Sequence, residues 1–165
     1  MSHTALISSL FTCSIVAASL ATGAPAFAGE QGHFRGLAVL NNTKFNEVKA
    51  PEGHPYKAAW SGEQEGLVFN DERKPFLDKA HYIVQYVGDA GTATGYCFKT
   101  FTMKDGDQVF ARCDWKGQEG GSAGTVTILG GTGKYAGIKG KGTFKFTNVT
   151  PVVNWDSLEI DYEVP

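Results

Sequence analysis

A lysine in the middle of an apolar strand is one of the residues most suggestive of chemistry in this sequence. Lys99 lies in the segment GYCFKTFTM, and a β-strand would place it on the same face as Cys97, Phe101 and Met103. An ammonium group that faces a protein interior either pairs with a carboxylate or shifts its pKa, and both situations are common at functional sites. The alternative is that Lys99 extends to the rim of the fold and keeps its charge in water.

Other polar side chains of the same region alternate with this apolar face. Tyr96, Arg112 and Asp114 share the opposite face, so they would line a polar cavity if that face turned inward. If that face points outward instead, Arg112 lies in solvent and pairs with a neighbouring strand residue. His81 is either a further site residue or a structural histidine. The candidate ligand-binding residues are Lys99, Phe101, Trp115, Tyr96, Arg112 and His81.

The glycine-rich segment GGTGKYAGIKGKGTF, residues 130–144, resembles a phosphate-binding loop only superficially. A Walker motif needs Gly where this chain has Ile128, and Ser or Thr where it has Tyr135. The dinucleotide pattern fails as well, because Ala136 stands where its third glycine belongs. The segment continues as strand sequence, so we expect its glycines to serve turns and bends of the backbone.

The sequence lacks the spacings typical of metal sites and of hydrolases. His33, His54 and His81 are scattered, and no G-x-S-x-G elbow occurs. Asp105 and Asp107 indicate a turn, because a calcium loop would need a longer stretch and a later Glu. We therefore expect neither a metal nor another cofactor.

Two cysteines flank the turn MKDGDQ, and the length of that turn decides whether they can pair. A two-residue loop at Asp105–Gly106 would place Cys97 and Cys113 on opposite faces of the hairpin. A three-residue loop, Lys104–Gly106, places them opposite each other and also sorts the apolar side chains to one face. We predict the three-residue loop and a Cys97–Cys113 disulfide. The alternative is two buried, reduced cysteines.

Between glycine-rich breaks, the chain after residue 30 alternates apolar and polar residues in short segments, which is typical of β-strands. In the last strand, for example, Leu158 and Ile160 alternate with Glu159 and Asp161. The predicted strands are 34–40, 64–69, 79–87, 93–103, 107–115, 124–129, 141–149 and 155–163. Eight short antiparallel strands favour a closed barrel, which removes exposed sheet edges. Residues 42–63, with Trp60, are predicted to form one long loop.

The first 28 residues have the composition of a secretory signal peptide. They contain no Lys, Arg, Asp or Glu, are apolar in the middle, and end in Ala26-Phe27-Ala28. We therefore expect cleavage, a secreted or periplasmic location, a barrel domain over 29–165 and no stable membrane anchor; an uncleaved anchor is the alternative. The net charge of -2, without a basic run, argues against a nucleic acid or anionic membrane partner.

The segment 130–144, together with GTVTIL and GYCFKTFTMKDGDQVFA before it, resembles secreted bacterial proteins of the allene oxide cyclase-like barrel group. These are relatives in shape of dirigent proteins and calycins. The resemblance covers roughly Gly95 to Phe146. It implies an eight-stranded barrel with an apolar interior, often assembled into homodimers or homotrimers. No catalytic position of the cyclases carries over to this chain.

Three functions remain open, and the interior of the barrel distinguishes them. We expect a protein that binds a small hydrophobic molecule, which needs an apolar cavity with one orienting group. A cofactor-free cyclase, isomerase or lyase would need at least two polar side chains that converge inside a cavity. A structural or interaction protein of the cell envelope would have a filled barrel.

Overall fold

The computed structural model describes residues 29–54 and 57–165, and these form a closed antiparallel barrel of eight strands. The prediction of an all-β, eight-stranded barrel is therefore confirmed. Each strand pairs with its neighbour in the chain, and β1 closes the barrel by pairing with β8. The strands are β1 Glu30–Lys49, β2 Ala58–Asn70, β3 Ala80–Asp89, β4 Thr94–Thr102, β5 Gln108–Gln118, β6 Gly121–Gly131, β7 Lys139–Asn148 and β8 Val153–Val164.

Period-two alternation places one face of every strand inside the barrel. In β8, Leu158 and Ile160 are buried while Glu159 and Asp161 are exposed. In β4 the buried residues are Cys97, Lys99 and Phe101. The apolar pattern read from the sequence therefore defines the interior, because burying these side chains supplies most of the driving force for closure.

Side chains from connecting segments fill one end of the barrel, which we call the closed end. Phe76 and Leu77 come from the β2–β3 connection, and Tyr135 and Ile138 from the β6–β7 connection. All four are buried, and the Phe76 ring stacks on Tyr162 with 3.9 Å between centroids. Packed aromatic rings therefore occupy the interior at this end.

The glycine-rich segment builds the β6–β7 connection at the closed end. A single turn of 3-10 helix, Gly133–Tyr135, follows β6, and β7 begins at Lys139. Gly133 and Gly137 have φ values of 52° and 82°, which residues with a side chain rarely adopt. The glycines thus turn the chain so that Tyr135 plugs the barrel, and Lys134 lies in solvent, paired with Asp105.

The β4–β5 hairpin has the predicted three-residue loop. Met103 and Asp107 close the loop through a backbone hydrogen bond of 2.8 Å, from Met103 N–H to the Asp107 carbonyl. Cys97 lies directly opposite Cys113, and the two form the predicted disulfide with a Cα–Cα distance of 4.9 Å. The predicted register is therefore confirmed. Its physical reason is that only this loop length brings the apolar residues of both strands to one face.

The prediction of a long loop over residues 42–63 is wrong. β1 continues to Lys49 and β2 begins at Ala58, so the connection is short and most of the predicted loop is a hairpin arm. A bulge between Asn42 and Lys44 shifts the register of this arm. The interruption hides the alternating pattern in the sequence, because one extra residue reverses which positions face inward. Tyr56, which belongs to the predicted loop, lies outside the described residues, and so does the predicted signal segment.

Within residues 29–54 and 57–165, the structure contains no helix that is long and apolar enough to span a membrane.

Candidate functional site

The half of the barrel opposite the closed end encloses a cavity of about 690 Å³. We call this half the open end; here β1 ends and β2 begins. Every strand contributes to the wall. The cavity is lined by Asn42, Phe45, Trp60, Gln64, Val84, Tyr86, Ala93, Cys97, Lys99, Trp115, Gly117, Gln118, Gly121, Ser122, Phe144, Phe146, Asn148 and Asp156.

Aromatic rings make up much of the wall. Trp60, Tyr86, Trp115 and Phe146 are partly buried around the cavity, and Phe45 stands at its mouth with 60% of its surface exposed. Such rings offer large, rigid apolar faces, and flat hydrophobic molecules pack well against them. The wall is therefore suited to a planar apolar ligand.

Glycines on adjacent strands make room for the Trp115 ring. A Cβ atom added to Gly88 or to Gly95 would collide with atoms of the Trp115 indole. Gly88 has no backbone atom among these close neighbours, so the indole alone requires a glycine there. The position of Trp115 in the cavity wall is thus set by two residues that lack side chains.

Three buried polar side chains meet at the floor of the cavity. Lys99 of β4 donates hydrogen bonds to Asp156 Oδ2 of β8 at 2.5 Å and to the Tyr82 hydroxyl of β3 at 2.6 Å. The Tyr82 hydroxyl in turn donates to Asp156 Oδ2 at 2.6 Å. The Lys99 and Asp156 side chains are each 1% exposed. The three groups therefore form one hydrogen-bonded network shielded from bulk water, which strengthens each interaction.

Burial and charge shift the pKa values of two groups in this network. Burial lowers the pKa of the Lys99 ammonium, although the neighbouring Asp156 carboxylate opposes that effect. Burial raises the pKa of the Tyr82 phenol well above its usual value, and the Asp156 charge adds to this increase. The Phe144 ring, with its centroid 4.4 Å from Lys99 Nζ, faces the cation. Lys99 is thus a lysine whose proton is held less tightly than usual.

One oxygen of Asp156 has no hydrogen-bond partner among residues 29–54 and 57–165. Oδ2 accepts from both Lys99 and Tyr82, whereas Oδ1 is buried and accepts from nothing. A buried, unsatisfied carboxylate oxygen costs about 1–3 kcal/mol or more, so a group of this kind in a native structure calls for an explanation. Asp156 also borders the cavity, so a bound molecule that donates a hydrogen bond is one candidate partner for Oδ1.

A second polar cluster lies beside this network, also at the cavity. Asn42 Oδ1 accepts hydrogen bonds from Gln64 Nε2 at 2.8 Å and from Asn154 Nδ2 at 3.1 Å. Gln64 and Asn154 are buried, and Asn42 and Gln64 border the cavity. These amides tie the inner parts of β1, β2 and β8 together and add polar groups near Asp156.

The structure brings only part of the predicted site to the interior. Lys99 and Trp115 line the cavity. Phe101 is fully buried but does not border it; the Phe101 ring stacks on Tyr82, 4.6 Å between centroids. Lys99 does not reach the rim, so that alternative is wrong. Lys99 stays in the closed interior because Asp156 provides a buried counter-charge there.

The other three candidates lie on the outer face of the barrel. Arg112 pairs with Asp114, Nη2 to Oδ1 at 2.8 Å, and its guanidinium lies over the exposed Tyr96 ring. His81 pairs with Glu65, Nε2 to Oε1 at 2.7 Å. The strands place these side chains outside because their neighbours along the chain, such as Cys97 and Tyr82, point inward.

Sequence reasoning missed Asp156, Tyr82 and Gln64. Strand parity carried a usable signal for Asp156, because it precedes Leu158 by two residues and so shares the inward face of β8. Tyr82 likewise shares the inward face of β3 with Val84. Gln64 lay at the edge of the wrongly predicted loop, so its orientation was not considered.

Solved structures with similar barrels exist, although the comparisons with family models and with curated proteins find no match. The structure of a pterocarpan synthase dirigent protein is similar with a TM-score of 0.51 and 14% identity, over 82% of this chain and 87% of that one. A structure of pyocyanin demethylase has a TM-score of 0.45 and 19% identity, over 78% of this chain and 99% of that one.

At this identity, the likeness to the dirigent protein shows the fold alone. The likeness to the demethylase is too weak to add to it. The function therefore has to be argued from the cavity and its side chains.

Proposed function

We propose that this protein binds one small, planar hydrophobic molecule inside the barrel, with a hydrogen-bond donor of that molecule directed at Asp156. The observation that carries the proposal is a cavity of about 690 Å³ with aromatic walls and an unsatisfied carboxylate oxygen at its floor. A cavity of this size lies in the range that holds small organic ligands. Eight-stranded barrels are wide enough to hold one such molecule.

The walls and the floor of the cavity would contact different parts of the ligand. Trp60, Tyr86 and Trp115 offer apolar faces to a ring system. At the floor, Asp156 Oδ1 is an acceptor, so it favours a hydroxyl or N–H group over an ether or a carbonyl. A phenol or an aromatic N–H compound fits both parts of the site.

A pair of probes that differ only in the donor tests this proposal. Calorimetric titration should show that 2-naphthol binds the protein, and that 2-methoxynaphthalene binds at least about tenfold more weakly. The expected ratio corresponds to about 1.5 kcal/mol for one hydrogen bond to a charged acceptor. Equal affinities would refute the orienting role of Asp156 while leaving binding in the cavity intact.

A variant that fills the cavity controls for binding elsewhere. Ser122 borders the cavity from β6, whereas Thr125 of the same strand is exposed on the outside. Ser122→Phe should abolish binding of 2-naphthol, and Thr125→Phe should leave it unchanged. If neither probe binds the wild-type protein, or if both variants bind 2-naphthol equally, the interior is not the binding site.

We further propose that the protein works in a secreted or periplasmic location. The buried Cys97–Cys113 disulfide supports this, because disulfides persist mainly in oxidising compartments. Identifying the amino terminus of the protein purified from its natural source tests the proposal. A mature chain that begins at Gly29 is the expected result, and an intact residue 1–28 segment would contradict cleavage.

Catalysis without a cofactor is a second candidate function, favoured by one observation. Lys99, Tyr82 and Asp156 converge at the floor, so more polar groups meet there than a carrier needs to orient its ligand. Such a network can move protons to and from a bound molecule. Deuterium exchange into 2-tetralone, followed by NMR, tests this: the wild-type protein should accelerate exchange, and Ser122→Phe should not.

A further inference from the structure

We propose that Lys99 is a covalent attachment site, whose Nζ forms an imine with a hydrophobic aldehyde or ketone bound in the cavity. The inference rests on the proposed function in one respect: the cavity must admit small hydrophobic molecules. It adds a chemical class of substrate, the carbonyl compounds, and a bond that binding alone does not require.

The position of Lys99 separates it from the other lysines of the described chain. Its side chain is 1% exposed and borders the cavity. Every other described lysine is exposed; the Lys44, Lys74 and Lys134 side chains, for example, are 55–68% exposed and pair with surface carboxylates. A carbonyl compound held by the aromatic walls would therefore meet one amine, and that amine lies at the floor.

Imine formation requires a neutral amine and a group that takes its proton. Burial lowers the pKa of Lys99, which increases the fraction of neutral amine. Asp156 Oδ2, 2.5 Å from Nζ, is placed to accept the proton. Tyr82, which bonds to both groups, holds them in position. The network thus provides the base that a buried lysine nucleophile needs.

The reaction balances with the groups present. The Lys99 ammonium passes one proton to Asp156, and the amine attacks the carbonyl carbon, forming the C–N bond as the C=O π bond breaks. Asp156 returns that proton to the alkoxide oxygen, giving a carbinolamine. The nitrogen then loses its second proton to Asp156, which delivers it to the hydroxyl as water leaves. In sum, ammonium and carbonyl give a protonated imine and one water.

Two further features of the cavity floor, the unsatisfied oxygen of Asp156 and the Phe144 ring, suit these reaction steps. The carbinolamine hydroxyl is a hydrogen-bond donor, and Asp156 Oδ1 is a buried acceptor without a partner in the described part of the chain. The protonated imine keeps the positive charge of Lys99, so the ion pair with Asp156 persists. The Phe144 ring, 4.4 Å from Nζ, faces the same charge before and after the reaction.

Reductive trapping tests the proposal directly. The full-length mature protein is incubated briefly with 2-naphthaldehyde and sodium cyanoborohydride, and labelled lysines are located by peptide mass spectrometry. Lys99 should be labelled at least about tenfold faster than the exposed Lys104, because binding raises the effective concentration of the aldehyde beside Nζ. An excess of 2-naphthol should suppress labelling of Lys99 but not of Lys104.

Two variants and one titration keep the outcomes distinct. Lys99→Arg keeps a cation for Asp156 but cannot form an imine, so the label at position 99 should disappear. If Lys99→Arg fails to fold, Ser122→Phe serves instead, since it should remove only the Lys99 label. If calorimetry shows that 2-naphthaldehyde binds but Lys99 is not trapped, the imine proposal is overturned and the binding proposal stands. If the aldehyde does not bind, the imine proposal is overturned, and the titration with 2-naphthol decides separately whether the binding proposal stands.

Discussion

Lys99 and Asp156 form a buried ion pair between strands that are not neighbours in the barrel. Lys99 lies on β4 and Asp156 on β8, 57 residues apart in the chain, with 2.5 Å between Nζ and Oδ2. Removing two charges from water can cost more free energy than their attraction returns, and replacing such a pair by apolar residues of similar size is often neutral or stabilising. The pair is therefore better explained by the chemistry of the cavity floor than by stability.

The first prediction concerns the cost of breaking this pair. Lys99→Met should lower the free energy of unfolding by about 3–5 kcal/mol, because it leaves the Asp156 carboxylate buried without a counter-charge. Lys99→Met/Asp156→Leu should recover most of that loss, since both charges are then absent. Urea denaturation followed by circular dichroism measures both values. A single variant as stable as the wild type would contradict the expected cost of leaving this buried carboxylate unpaired.

A second prediction follows from the raised pKa of Tyr82. Burial, and then the Asp156 charge, raise the pKa of this phenol in the folded protein. The unfolded chain releases the same proton near about pH 10. The contribution of this phenol to stability is therefore fully present below about pH 10, and it is lost as the pH rises further towards the folded pKa.

Comparison with Tyr82→Phe isolates this effect. The wild type should exceed Tyr82→Phe in free energy of unfolding by about 1 kcal/mol near neutral pH, from the lost hydrogen bonds. That difference should shrink above about pH 10. Urea denaturation over a pH series measures it. A difference that grows with alkaline pH would mean that Tyr82 ionises readily inside the fold.

The third prediction concerns the disulfide in the β4–β5 hairpin. Cys97→Ala/Cys113→Ala should lower the free energy of unfolding by about 3 kcal/mol, the loss of loop-closure entropy for a bridge of this span, here 16 residues. Reduction of the wild type with dithiothreitol should give a similar loss. If neither treatment changes the urea midpoint, the hairpin holds its register without the covalent bond.

A fourth prediction concerns the glycine under Trp115. Gly88→Ala should push the Trp115 indole into the cavity, because the added methyl group collides with the ring. We expect weaker binding of 2-naphthol and a changed near-ultraviolet circular dichroism spectrum. Gly106→Ala is the matched control: Gly106 has a φ of 91° in the distant hairpin loop, so the control strains the backbone without touching the cavity. Equal effects of both variants on affinity would contradict the packing argument.

The fifth prediction concerns the polar residues on the outside. Arg112→Gln, His81→Gln and Tyr96→Thr should each change the free energy of unfolding by no more than about 0.5 kcal/mol, because exposed pairs contribute little. Their affinity for 2-naphthol should equal that of the wild type. Calorimetry on the three variants measures this. A clear loss of affinity in any of them would place the binding site on the outer face.

Local pattern was enough to predict the class of fold and one detailed contact. Alternation in segments such as residues 155–163 indicates which face is apolar, and the turn around Gly106 fixes the register that pairs Cys97 with Cys113. Both conclusions depend only on residues that are close in the chain. The bulge at Thr43 defeated the same reasoning, because an extra residue breaks the period without leaving a glycine or proline to mark it.

The sequence by itself determined that Lys99 belongs to an apolar face and that such a lysine needs a partner or an altered pKa. Only the tertiary structure decided which partner it has, because Asp156 reaches Lys99 only once β1 and β8 close the barrel. Closure also buried the apolar faces of β3, β4 and β5, and so it left Arg112, Tyr96 and His81 on the outside instead of around a polar cavity. The cavity itself exists only in the closed sheet, where glycines and aromatic rings from distant strands meet.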